Sequence, residues 1–190
     1  ARLRRPFDAE GRDVLALLAA PPPELGPEED RRTEARRVVG RVSRLSGGAG
    51  VVVEDAWFGR EERGWRVTEG VDFVVDRGQG DAVVVSFGLA PLVVGRPERV
   101  DLAEHLAALT PETRRLVPAH LAIGGTGERV RVAAGDTIEI WGVCRGLSES
   151  RRVFDLSSRA DYRTAPRPAR VVGDEDGIRL VIRAGGHPRG

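Results

Sequence analysis

From Val38 onward, apolar residues fall mostly at every second position, in short runs separated by glycine and charge. That period of two is the mark of half-buried strands. "VVGRVSRL" predicts a strand with Val39, Val42 and Leu45 inward and a bulge at Gly40. "SGGAG" reads as a turn and "VVVEDAWF" as the returning strand, followed by the charged loop "REERG" and the strand "WRVTE". Residues 70–93, "GVDFVVDRGQGDAVVVSFGLAPLV", predict a hairpin around Gly78-Gln79-Gly80, with Phe73, Val75, Val83 and Val85 as one wall of a core and a break near Pro91.

The period changes once. "VDLAEHLAALTPETRRLVPAHL" places Leu102, Leu106 and Leu109 on one helical face, with Asp101 or Glu104 in the first turn and Pro111 ending or restarting the helix. His105 reads as a surface or boundary residue of that helix. Strand structure resumes at "ERVRVAAGDTIEIWGVCRG", where Ile138, Ile140, Gly142 and Cys144 share a face. "RRVFDLSS" and "GIRLVIR" are the last expected strands, the latter with an edge that could pair with a second chain. Before Val38 the pattern differs. A short helix from about Asp8 stops at Pro21-Pro22-Pro23, and "PEEDRRTEARR" has acids early and arginines late, as a helix dipole favours. The expected organisation is an N-terminal helical arm at 1–37, a β domain at 38–183 and a tail at 184–190. Roughly six to nine short strands with one helical insert make the chain mainly β, a small curved sheet or an OB-like barrel.

Composition narrows the chemistry. In 190 residues the 30 basic side chains are all arginine, the net charge is +1, and asparagine and methionine are absent, a bias expected of GC-rich coding. A phosphate-binding surface would have to be local. Cys144 is the one cysteine. That excludes an internal disulfide, a multi-cysteine zinc site and a RING module. No run approaches the ~20 apolar residues that span a bilayer. His105, His120 and His187 form no metal-binding spacing. Gly124, Gly125 and Gly127 precede a strand rather than a helix, so they read as a linker and not a phosphate cradle. Asp72, Asp76 and Asp81 miss the calcium-loop spacing and read as turn residues. The serines lack a nucleophile-elbow setting. No cofactor and no metal are expected.

Two minor readings remain. An OB-type single-strand binder would align Arg129, Arg131, Arg145, Arg151 and Arg152 with Trp141 and Phe154 on one open face, and acids interleaved there would remove it. A hydrolase would need a pocket that brings His120 or Cys144 to a carboxylate.

The order of the segments resembles the GIDE-type, or beside-a-membrane, domain of mitochondrial and chloroplast RING ubiquitin ligases. The resemblance lies in Gly40-Arg41-Val42 with Leu45-Ser46-Gly47, then Phe73 to Asp76 with Gly78 or Gly80, then Glu128 to Gly142, and it covers about residues 38–183. The chain departs from the ligases in having no RING and no flanking membrane helices, and Arg-Leu-Ser stands where a Ser-Pro-Leu segment is frequent. The resemblance implies a non-catalytic domain, with prokaryotic (bacterial) relatives and links to ubiquitin-like pathways, that engages a protein partner near a membrane. It implies a location in the cytoplasm, or at a membrane through a segment outside this sequence. Trp57, Phe58, Arg60, Trp65, Arg151 and Arg152 are the candidate partner contacts, read as exposed loop side chains. Core packing is the ordinary alternative for the two tryptophans.

Overall fold

In the computed structural model of the chain, the described residues are 19–26, 31–45, 50–59, 65–78, 81–88, 91–109, 111–115, 117, 125–146, 170–173 and 180–185. The alternation of residues 70–93 forms the expected hairpin. Strands β4 (Phe73–Asp76) and β5 (Ala82–Val85) pair antiparallel with Phe73 opposite Val85, and Gly78 supplies the positive φ of 86° in the turn. One side of this hairpin is buried: Phe73, Val75, Val83 and Val85 are all 0% exposed.

Strand β1 (Arg31–Arg44) uses both edges, pairing β4 through Arg41–Arg44 and β9 (Thr137–Gly146) through most of its length. Strand β10 (Arg170–Gly173) lies parallel to β5 and antiparallel to β9. The ring β1-β4-β5-β10-β9 therefore closes on itself as a five-strand barrel with one parallel seam, an OB-like architecture. Strand β11 (Val181–Ala184) pairs the first half of β9, and β6 (Leu92–Val94) runs parallel to β11 at the end of the sheet. Inside the barrel Val38, Val42, Ile138, Ile140, Cys144, Val172, Leu180 and Ile182 meet the wall of the hairpin.

A second sheet leans on this barrel. It contains β3 (Trp65–Gly70), β2 (Val51–Phe58), β8 (Thr126–Ala133) and β7 (Glu98–Asp101), in that order and antiparallel throughout. A bulge between Val51 and Val53 lets consecutive residues Val52 and Val53 both reach the barrel core, where Val132 joins them. The turn Ala133–Asp136 carries the chain from one sheet to the other, with Gly135 at φ 101° and the Asp136 carboxylate accepting from the Ala133 amide at 2.8 Å. The helical insert begins directly after β7. Asp101 caps α1 (Leu102–Ala108) by accepting from the amides of Ala103 and Glu104, and Pro111 starts the single turn α2 (Pro111–Arg114).

The structure corrects several expectations. Residues 31–37 are strand, not helix, because the free edge of β9 from Trp141 to Arg145 offers them a ladder; the boundary placed at residue 38 falls inside β1. Val38 rather than Val39 faces the core, and the irregularity in β1 lies between Arg31 and Ala35 instead of at Gly40. Strand β11 is flanked by β9 and β6, so it is no free edge. Strand β10, which is short and follows a proline- and arginine-rich stretch, was not expected at all. The helix from Asp8 as far as residue 18, the "RRVFDLSS" strand and the tail from Gly186 lie outside the described residues.

Glycine at position 40 is required by the closure. A β-carbon there would stand 2.3 Å from the Asp76 carbonyl oxygen and 2.7 Å from Val75 Cγ1. A Gly40→Ala substitution is expected to cost about 2–3 kcal/mol, as overpacking against backbone does. It should lower the urea midpoint with an unchanged slope; an unchanged midpoint would contradict the tight crossing.

Candidate functional site

Polar side chains with specific partners gather on the four-strand sheet, and strand alternation sorts them onto two faces. On the first face Glu54, Ala56 and Phe58 of β2 stand beside Val67 and Trp65 of β3, and Arg129 and Arg131 of β8. Helix α1 covers this face. Ala56, Phe58, Val100 and Leu102 form a second apolar core, with Trp65, Val67 and Leu106 packed against it. A β-carbon at Gly127 would lie 2.4 Å from the Phe58 ring, so the glycine admits that ring to the sheet surface.

His105 sits in this core at 3% exposure, not at the surface or boundary expected from sequence. Its ring is 4.9 Å from that of Phe58 and 6.2 Å from that of Trp65, centroid to centroid. Nδ1 stands 3.0 Å from Glu54 Oε1, close enough for an ion pair but not aligned as a hydrogen bond, and Nε2 has no hydrogen-bond partner. Burial pushes the imidazole below its ordinary value, against Glu54 and Glu69, which pull it up. Glu54 is also held by Arg131 Nε, and Arg129 Nε bonds Glu98 Oε1 at 2.8 Å with Glu104 Oε1 3.8 Å from its Nη1. The helical spacing from Leu102 to His105 to Leu106 was the sequence signal for this position; the carboxylate facing it comes from β2 and left no local trace.

On the second face Trp57 is half-buried, paired across the ladders with Arg66 and Glu128. Asp55, on the same face, takes a two-pronged bond from Arg66, Nε to Oδ1 at 2.8 Å and Nη2 to Oδ2 at 2.9 Å. Thr68 Oγ1 donates to the same carboxylate at 2.6 Å. This arrangement fixes the guanidinium of the residue paired with Trp57 across the ladder.

Of the six residues expected to contact a partner, the structure places three. Trp57 and Trp65 are half-buried on opposite faces, and Phe58 is buried in the second core rather than exposed in a loop, because it belongs to β2 and stacks 5.9 Å from Trp65. Arg60, Arg151 and Arg152 lie outside the described residues. The arginine stripe of a strand binder is not assembled as expected: Arg129 and Arg131 face carboxylates in the four-strand sheet, while Arg145 belongs to the barrel. Trp141 is buried at 2%, with its indole N–H on Glu139 Oε1 and Arg183 5.5 Å over its ring. Cys144 is buried in the barrel. Asp72 accepts from the Phe87 amide, Asp76 from the Gly78 amide and Asp81 from Arg77, the turn and strand-end roles expected of them.

Comparisons with protein families, with curated proteins and with solved structures return no significant match.

The Asp55 carboxylate is the anchor of the second face. Its side chain is 11% exposed and that of Arg66 21%, so Asp55→Ala strands a mostly buried cation. The expected loss is about 2–3 kcal/mol, against about 1 kcal/mol for Thr68→Val. Urea unfolding of the two variants checks the order, and a smaller loss for Asp55→Ala would refute it.

Proposed function

We propose that this chain is a non-catalytic protein-binding module whose docking face is the Trp57 side of the four-strand sheet. The observation that carries the reading is the pairing of a half-buried indole with Arg66, which Asp55 and Thr68 hold in one geometry. Tryptophan and arginine are the side chains most enriched among residues that dominate protein–protein affinity. An arginine already ordered in the free state loses less entropy when a partner arrives. The GIDE-type resemblance supports the same role and is the sole ground for its setting near a membrane or in a ubiquitin-like pathway. Among the described residues no helix is long and apolar enough to cross a membrane. The glycines and turn acid of that resemblance, Gly40, Gly142 and Asp136, act here in barrel closure and in the turn between the sheets, away from Trp57 and Arg66. A single-strand binder is less well supported, because Glu54 and Glu98 engage the arginines it would use.

The test is affinity capture from the native cell with the parent chain and with Trp57→Ala, after both are shown to melt alike. Protein enriched by the parent and at least about tenfold less by the variant supports the docking face, since a central tryptophan is worth upward of about 1.4 kcal/mol. Capture of nucleic acid that falls steeply with salt would replace this reading with the strand binder. Equal protein capture by both chains would remove Trp57 from the interface.

A further inference from the structure

His105 takes no part in the docking face, yet it is a buried titratable group at the join between a short helix and a sheet. We propose that His105 is a pH-sensitive latch, holding helix α1 on the four-strand sheet while neutral and releasing it when protonated. Three features of the geometry make the latch. The ring lies in the same core as Leu102 and Leu106 of its own helix and Phe58 and Trp65 of the sheet, so the imidazole is part of the apolar contact that docks α1. Its Nε2 is buried with no hydrogen-bond partner among the described residues, so a proton added there leaves a buried N–H with nothing to receive it on the side of the ring away from Glu54. The helix spans Leu102–Ala108, a length that does not hold its shape in water without the sheet beneath it.

The surrounding charges do not cancel that penalty. From β2 comes Glu54, with Nδ1 of His105 at 3.0 Å, but its other oxygen is engaged by Arg131 of β8. From β7 comes Glu98, bonded to Arg129 of β8, and Glu104 of α1 lies 3.8 Å from the same arginine. Glu69 of β3 acts on the imidazole through space and favours its charge, while Arg129 opposes it. Desolvation exceeds these attractions, so the docked imidazole titrates below its ordinary value.

The sign of the pH effect follows. The undocked, solvated imidazole titrates near about 6.5 and the docked one lower, so the undocked form binds protons more tightly. Docking is complete above about 6.5, weakens as pH falls toward the docked value, and levels off below it. The effect should be local, because the ring stands against Phe58, Trp65 and Glu54, all of the four-strand sheet.

Amide hydrogen exchange of the full chain between pH 8 and 5, corrected for the intrinsic pH dependence of exchange, reads this directly. Protection of the α1 amides should fall by up to about tenfold per pH unit within the window, as a one-proton linkage requires, while β9 amides hold steady. His105→Phe keeps a ring in the core and should abolish the step. Glu54→Gln removes the nearest attraction for the proton and should move the step to lower pH. An NMR titration of His105 in the parent chain gives an independent reading even where a variant folds poorly. Equal loss of α1 protection in the parent and in His105→Phe would overturn the latch, and so would a parent titration at or above the ordinary imidazole value. Neither readout involves a binding partner, so the latch and the docking face succeed or fail separately.

Discussion

Everything else in this fold depends on one strand having two hydrogen-bonded edges. β1 gives its end, Arg41–Arg44, to β4 and nearly its whole length to β9, and with those two ladders made, the ring β1-β4-β5-β10-β9 has no open edge left. The crossing is so tight that position 40 tolerates no side chain, and Gly142 on β9 is similarly hemmed by Val172 and Gly173 of β10. Closure then creates the sealed interior into which Leu25, Val52, Val53 and Val132 insert from outside the ring. The second sheet is thus not a separate body. It is fastened by the apolar ends of β2 and β8, and its far end is left to carry polar networks.

Those networks divide the sheet into two faces of unlike chemistry. One is covered by α1 and holds its histidine in a nearly dry place, an arrangement that costs stability whenever a proton is forced upon it. The other keeps an indole and a guanidinium in register, with the guanidinium bonded to a carboxylate and therefore ordered before any partner arrives. The histidine and its carboxylate come from elements far apart in sequence, the indole and guanidinium from the neighbouring strands β2 and β3, and the antiparallel registers of β2 with β3 and β8 align them.

This explains how much could be read from the chain alone. Period-two stretches such as Phe73–Val85 and Ile138–Cys144 announced both their strands and their buried side, since alternation is a local property. The Asp101 cap and the restart at Pro111 were legible for the same reason. Arg31–Arg37 misled because the charge order of "PEEDRRTEARR" says helix while the empty edge of β9, about a hundred residues away, says strand. Phe58 ends the expected strand "VVVEDAWF", but its inward side was not legible beside Trp57. His105 stood at helical spacing with two leucines, so its burial could have been inferred, but the approach of Glu54 could not. Trp57 and Trp65 are both half-buried but lie on opposite faces, which only the pairing of β2 with β3 separates.

The parallel seam between β5 and β10 has a consequence for how this molecule comes into being. Residue 83 must wait for residue 170, and residue 92 for residue 181, before either finds its neighbour. A chain emerging from the ribosome can complete the hairpin of β4 and β5 early, and can then add β1 to it. Until β10 appears, however, the outer edge of β5 is an unpaired row of valines. The long interval between those two segments is therefore a period of exposure during synthesis, and loop closure over such distances makes the last step of folding the slow one.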